Sequence, residues 1–458
     1  HRTGTRKLRR PLHLGQRRGE TAGPMAEQTR ELGDSHNFGR RVSLRDGRIY
    51  KPRTVFWEWL LLSAASPLRR KLDDIAASDD SGVRFDFLPS LQFTPSPTGS
   101  PSRPEAAGAQ RATAALPTEL EGEVERVQLG PLKLASPEDQ HRLAAVTGRA
   151  VALFSWLGLG DLHWENMMLG SGPQGQIVFA PLDIELMLDD HALPTATRLL
   201  PEADPDYGVL YQHACGIRRV LPFLGKPVPI ATLLTIAAAY CQTLALLDRG
   251  AREIAATLSS LPQVQTVLLR VCLRSTGDYL HPVDDLQPPA LAAELQQLRR
   301  GDIPYFFRLY GRSGIQYFAD ATLSTSQRLP TRGDVPQLAP LLSLSKGLRS
   351  PGRRSLQEQG LFCVLGAFDH PTFQGTHTGS DIVVRFSARQ LSVRLPNGDE
   401  LDTRRDLRRF VSSVYLPCRC GEVCQAGGEL IELPAGREPV RVVHAHLGEG
   451  RAAVAARE

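Results

Sequence analysis

The chain lacks any apolar run long enough to span a bilayer, which takes about 20 residues; its longest apolar helical stretch lies around Ile230 to Leu247. A membrane-embedded role is thereby excluded, and a soluble protein is expected. An apolar signal segment is also missing, and the cysteines number seven, an odd count. Free thiols in a reducing, cytoplasmic setting follow, rather than a disulfide framework. Excess positive charge is confined to one end. The formal charge is +5, yet residues 1–24 hold seven Lys/Arg (Arg2, Arg6, Lys7, Arg9, Arg10, Arg17 and Arg18) against one acid, Glu20. Without that +6 the remainder stands at −1, so no nucleic-acid surface is expected.

What remains is ordinary globular composition, 41% hydrophobic and 22% charged, in a chain of 458 residues that has room for two or three domains. Residues 1–30 read as a basic tail, disordered or a fragment edge, with Met25 a candidate start. Residues 94–118 are Pro, Ser, Ala and Gly without periodicity, and read as a disordered insertion. A second such stretch, 325–355, reads as a linker. Beyond it, residues 356–458 carry short alternating runs such as 381–386 and 391–395, the latter before an Asn397-Gly398 turn, and read as a small β-rich appendage.

The chemistry-bearing stretch is Gly160-Asp161-Leu162-His163-Trp164-Glu165-Asn166, followed by Leu182-Asp183-Ile184-Glu185. An Asp, an Asn five residues on and a later Asp closing an apolar run suit phosphoryl transfer. One carboxylate orients the attacking hydroxyl, while the Asn and the second Asp hold magnesium against the phosphates of ATP. Arg142 to Leu157 reads as the helix leading into this loop, and Ile177 to Leu182 as a buried strand. Upstream, Asp46-Gly47 separates two short alternating runs, which predicts a hairpin with Lys51 at its end. A strand lysine of that kind can hold nucleotide phosphates, or it can be a solvated surface lysine. A helix through Phe56 to Leu61, a strand at 123–127, and helices at 231–247, 254–261, 264–272 and 291–300 complete the reading. Within this helical region Arg270, Arg274, Thr276 and Tyr279 would lie on an exposed helix face, and 301–307 would be an aromatic turn. The fold class is α+β, with elements in the order of a two-lobed kinase-like core.

Four stretches together resemble the dehydratase domain of class II lanthipeptide synthetases: GDSHNFGR (33–40), GRIYKPR (47–53), GDLHWENMMLG with PLDIELML (160–188), and VLLRVCLRSTGDYL with RRGDIPYFF (267–307). The resemblance spans roughly 33–318 and implies a lipid-kinase-like core with added helices over 31–320. It implies ATP and Mg2+ as cofactors and a ribosomal precursor peptide as substrate, whose Ser/Thr are phosphorylated and then dehydrated. Lys51, Asn166 and Asp183 would hold nucleotide and metal, with Asp161 and His163 catalytic. Asp34, His36 and an arginine beside DIPYF would serve elimination, Arg300 being chosen over Arg299 and Arg308. The family tends to have a hydroxyl residue shortly after the DIPYF aromatics, where this chain has Phe307. Cys418, Cys420 and Cys424 do not follow the spacing of the family's zinc cyclase, so no zinc and no ring formation are expected, and leader binding or cyclisation would come from a separate chain. Alternatives are a phosphotransferase without elimination and a catalytically dead peptide-binding remnant.

Overall fold

A computed structural model describes residues 30–95, 121–188, 194, 197–201, 215–225, 228–274, 276, 278–286, 289–310, 314–329, 364 and 367, together with the backbone of six strands between 380 and 447. The predicted tail and insertion lie outside these residues except at their edges, where Arg30, Thr94 and Pro95 belong to strands.

The chain begins with β1 (Arg30–His36), β2 (Arg40–Arg45) and β3 (Arg48–Lys51). Helices α1 (Phe56–Leu62) and α2 (Pro67–Ala77) follow, then β4 (Phe93–Pro95) and β5 (Gly122–Glu125). The five strands form one antiparallel sheet in the order β1-β2-β3-β5-β4. Asp46 and Gly47 both take positive φ, 46° and 78°, the geometry of a two-residue turn whose twist matches its strands. The hairpin is therefore where the sequence predicts it, and Lys51 ends β3 opposite Gly122. A side chain at Gly122 would meet a Val55 methyl at 2.4 Å, so glycine is what lets the β3–α1 connection pass close to β5.

Helix α3 (Pro137–Trp156) starts at a Ser136–Asp139 capping box with proline at its first position. It packs on α5 (Ile230–Arg249), an approach that Gly148 permits, since a Cβ there would lie 2.2 Å from the Ile236 carbonyl. Between them in sequence come the hairpin β6 (Met167–Ser171) and β7 (Ile177–Pro181) and the short α4 (Leu221–Leu224). After α5 come α6 (Ala251–Ser259), α7 (Pro262–Thr266), β8 (Leu268–Val271) and α8 (Ala292–Arg299). Then follow β9 (Phe306–Leu309), β10 (Gln316–Phe318) and β11 (Ser326–Arg328). One core joins α1, α2, α3, α5 and β7 through Trp57, Leu60, Leu72, Phe154, Phe179 and Tyr240. No helix among the described residues is long and apolar enough to cross a membrane.

Three expectations fail in this region. Residues 264–272 are not one helix: helix stops at Thr266, and Leu268–Val271 pairs antiparallel with Phe306–Leu309 in the sheet β11-β10-β9-β8. An apolar run of that length suits either state locally, and strand pairing decides it. Of the predicted aromatic turn at 301–307, residues 301–305 lie outside any strand, while Phe306 and Phe307 open β9 by the same pairing, with Phe307 fully buried 4.7 Å from the Phe318 ring centre. Ser326–Arg328 belongs to β11, so the linker cannot begin at Thr325. Toward the C-terminus, β12 (Ser380–Phe386), β13 (Leu391–Arg394), β14 (Glu400–Thr403), β15 (Val414–Pro417), β16 (Val423–Ile431) and β17 (Val440–Leu447) form an antiparallel sheet, order β14-β13-β12-β17-β16-β15. The two predicted strand runs are β12 and β13, while Asn397-Gly398, Cys418 and Cys420 lie outside the described residues. The class is α+β.

Residues 33–40 and 300–305 form one unit. Asn37, Phe38 and Gly39 all adopt positive φ, 48°, 68° and 83°, so that successive amides turn inward. The anion they enclose is Asp302, which accepts from Phe38 N at 2.8 Å, Gly39 N at 2.9 Å and Ser35 Oγ at 2.7 Å. These bonds hold the Asp302 carboxyl below its usual pKa even though burial works to raise it. Asp302 is 1% exposed. Asp302→Ala leaves three donors without their acceptor, and we expect a loss of about 3 kcal/mol, seen as a lower urea midpoint, with Asp302→Asn losing less. An unchanged midpoint in Asp302→Ala would contradict this account of the turn.

Candidate active site

The β6–β7 hairpin sets the spacing of the loop residues. Met167 pairs with Pro181, so Asn166 and Leu182 lie side by side, and Leu182 N donates to the Asn166 carbonyl at 2.7 Å. Asp183 thereby follows directly on a residue bonded to Asn166. Asp161 takes a left-handed backbone, φ 57°, which is strained for a residue other than glycine and is a common mark of a working site. Asn166 Nδ2 stabilises it, donating to the Asp161 carbonyl at 3.0 Å and to Oδ2 at 3.4 Å. With its nitrogen so placed, Asn166 has its amide oxygen to offer a ligand. Arg198 Nη1 pairs with Asp161 Oδ1 at 3.0 Å. His163 does not join these groups: its Nδ1 accepts from Glu165 N at 3.3 Å, capping the single 3₁₀ turn Trp164–Asn166. The ring therefore orders the loop, and only Nε2 can face a ligand.

Lys51 is buried rather than solvated. Its Nζ donates to Glu58 Oε1 at 2.6 Å, to the Leu182 carbonyl at 3.0 Å and to Asp183 Oδ1 at 3.2 Å. Arg53 extends the cluster, pairing with Glu58 Oε1 at 3.1 Å, with Asp183 Oδ1, and through Nε with Glu185 Oε1 at 2.7 Å. Arg270 Nη1 closes it on Glu185 Oε2 at 3.3 Å. Three cations alternate with three carboxylates, and Asp183, at 32% side-chain exposure, is the member open to solvent. Burial pulls the Lys51 ammonium down to about 8, with Glu58 opposing. For Glu185, burial works to raise the carboxyl, but Arg270 and then Arg53 hold it at about 2.

A second group lies beside this one. His36 Nδ1 donates to the Ile303 carbonyl at 2.9 Å, and its ring meets Tyr305 edge-on, centroids 6.0 Å apart. Burial lowers the His36 pKa, and Arg270 lowers it further. Asp34, exposed on the same strand, acts in the opposite sense. Arg270 is the neighbour common to both groups, its guanidinium 5.3 Å from the Tyr305 ring centre. It does not lie on an exposed helix face, nor do Arg274 and Tyr279, which both bond to the buried Glu294. Arg300 is placed differently from expectation: its guanidinium lies 3.8 Å over the Phe38 ring and its Nε reaches Asp302 Oδ2 at 3.3 Å. It therefore supports the turn at 37–39. Arg299 is exposed at the end of α8.

Lys51, Asp161, Asn166 and Asp183 thus come together, with His36 adjacent through Arg270. Sequence reasoning missed Glu58, Arg53, Glu185, Arg198 and Arg270. Glu58 left a signal, as the one acid in the apolar stretch Phe56–Leu62, and Glu185 another, two residues from Asp183 in an apolar run. Among the described residues no three His, Cys, Asp or Glu form a metal cage. Magnesium carried with a nucleotide takes one or two protein carboxylates and fills its shell from phosphate and water. The Asp183 carboxylate and the Asn166 amide oxygen fit that demand. Compared with known proteins, the chain matches no family model and no curated protein.

The Glu185 carboxyl titrates near 2 in the native protein against an ordinary 4.5, so between these values the unfolded chain binds more protons. Unfolding free energy then falls as pH drops through that window. Glu185→Gln should be less stable at pH 7, because Arg53 and Arg270 lose their shared partner. Its stability should also fall less steeply than wild type between pH 4.5 and 2 in denaturant titrations. Parallel pH profiles would show that Glu185 is not held by these arginines.

Proposed function

We propose that the chain is a dehydratase of the class II lanthipeptide synthetase kind, on a two-lobed, lipid-kinase-like core. It would use ATP and Mg2+ to phosphorylate Ser/Thr of a ribosomal precursor peptide and then eliminate the phosphate, in the cytoplasm. The observation that carries this reading is the buried Lys51, paired at 2.6 Å to Glu58 on the next helix and at 3.2 Å to Asp183 beside Asn166. A strand lysine tied to a helix glutamate, together with a metal-binding Asp, is the assembly that phosphoryl transfer requires in kinases. Lys51 and Arg53 offer positive charge to the nucleotide phosphates. Bound magnesium would neutralise phosphate charge, with Asp183 and Asn166 as its protein donors. Asp161 accepts the proton of the peptide hydroxyl as its oxygen attacks the γ-phosphorus, and the bond to ADP breaks.

Elimination needs an unprotonated base. His36 suits this, because its Nδ1–H is committed to the Ile303 carbonyl and its pKa is lowered, so Nε2 carries a free electron pair. It takes the Cα proton, the released pair forms the Cα=Cβ bond, and the Cβ–O bond breaks with the electrons leaving on phosphate. Asp34 supplies negative charge that favours the imidazolium so formed. A phosphotransferase that stops at phosphate is the second reading, favoured by Phe307, which is sealed in the core where the resembled family tends to have a hydroxyl residue.

With ATP, magnesium and a Ser/Thr-rich peptide encoded beside this chain, mass spectrometry should show each modified residue lighter by one water. A gain of phosphate alone would select the second reading, and an unchanged mass with no ATP consumed would refute both. Asp161→Asn should keep ATP binding and lose transfer by at least about a hundredfold.

A further inference from the structure

We infer that Arg198, Arg218 and Arg219 form a rim beside Asp161 that reads acidic residues flanking the modified Ser/Thr, so that the preferred peptide carries an Asp or Glu within about four positions of that residue. The inference rests on the phosphoryl-transfer reading and names a substrate class for it. Three segments separate in sequence are joined here through their backbones. Leu162 N donates to the Thr197 carbonyl at 2.9 Å, Gly216 N to the Arg198 carbonyl at 3.1 Å and Ile217 N to the Leu199 carbonyl at 2.9 Å, while His163 and Cys215 form an antiparallel bridge. Gly216 makes this approach possible, because a Cβ there would lie 2.4 Å from the Leu162 carbonyl. Thr197, Leu199, Ile217 and Val220 are buried, so Arg198, Arg218 and Arg219 are the residues that these segments turn toward the surface.

Each guanidinium is held at the loop that carries Asp161. Arg198, at 54% side-chain exposure, pairs through Nη1 with Asp161 Oδ1 at 3.0 Å. The Arg218 and Arg219 guanidinium carbons lie 4.8 and 5.0 Å from the centre of the Trp164 ring, and Arg219 Nε donates to the Trp164 carbonyl at 2.7 Å. A guanidinium stacks through its face and binds carboxylates through its edge, so the two contacts are compatible. Within residues 161–166, 197–200 and 215–220 these three cations stand against two carboxylates, Asp161 and Glu165. An exposed ion pair adds little to stability, so the fold alone does not account for three arginines gathered at one loop. A peptide whose hydroxyl lies on Asp161 has its flanking residues within reach of them. Asp161 and Trp164 are three residues apart, at most about 11 Å of chain, which an extended peptide covers in about three or four residues. A carboxylate there gains charge-assisted hydrogen bonds, whereas a lysine meets like charge.

The test uses the full chain and synthetic peptides with a single serine in an alanine-glycine background, carrying glutamate, alanine or lysine in turn at each position up to about four on either side. Phosphate transfer is followed with ATP and magnesium, and binding by fluorescence anisotropy of labelled peptides. At the position that meets the rim, glutamate should exceed alanine by about tenfold in both kcat/KM and affinity, and lysine should fall below alanine. The advantage should shrink to about twofold in 1 M salt. Arg218→Glu should reverse the order, so that the lysine peptide outruns the glutamate peptide and is bound more tightly than by wild type. A gain of this kind cannot come from misfolding. Glutamate, alanine and lysine peptides treated alike by wild type at every position overturn the inference, as does an Arg218→Glu variant that weakens all peptides by one factor. Failure of the phosphoryl-transfer reading appears separately, as no phosphate on any peptide and no ATP-magnesium thermal shift, and binding still decides the rim in that case.

Discussion

Two buried carboxylates, Glu58 and Glu185, hold the site together, because each is shared by two cations. Glu58 Oε1 takes Lys51 and Arg53 and also the backbone N of Ile184 at 3.3 Å, while Glu185 takes Arg53 and Arg270. The result is a ladder, Lys51–Glu58–Arg53–Glu185–Arg270, along which no cation lacks an anion. Removing one member of such a set from a protein interior leaves an uncompensated charge, which costs about 3–5 kcal/mol. The ladder is therefore a constraint on the fold as much as a feature of the site. It joins the end of β3, the first turn of α1, the segment after β7 and strand β8, which are far apart in sequence.

What the ladder holds in place is the outward-facing Asp183, between Lys51 and Arg53, and with it the hairpin that presents Asn166. Phosphoryl transfer depends mainly on positioning and on charge already in place when the phosphates arrive. A rigid set of alternating charges meets that need without reorganisation. The Asp302-centred turn does the same for the neighbouring half, fixing the strand that carries His36 onto the segment that carries Tyr305. Glu185 and Arg270 connect the two halves.

Much of this was legible in the sequence where local chemistry decides the structure. Asp46-Gly47 called for a turn with two left-handed residues and that turn is present, which put Lys51 at a strand end. The Asp161–Asn166 loop and Asp183 were readable because a helix, a loop and a strand follow one another within 50 residues. Legibility ended where partners are distant. Val267 to Val271 suits helix and strand alike, and only pairing with Phe306–Leu309 makes Arg270 a buried strand residue. Asp302 stood in the sequence only as part of the stretch 299–307, and its role at the centre of a turn comes from three donors at residues 35–39. Arg300 was chosen for its nearness in sequence to that motif, and the aromatic ring of Phe38, more than 250 residues away, claims it instead.

The central claim is that this buried ladder frames a magnesium-nucleotide site with Asp183 as its protein carboxylate. Manganese in place of magnesium makes this directly measurable, through the paramagnetic signal of bound metal in the presence of a non-hydrolysable ATP analogue. The account predicts one bound ion per chain that appears only with the nucleotide, and disappears in a folded Asp183→Asn variant. Metal binding that ignores the nucleotide, or a signal that survives in Asp183→Asn, would contradict it.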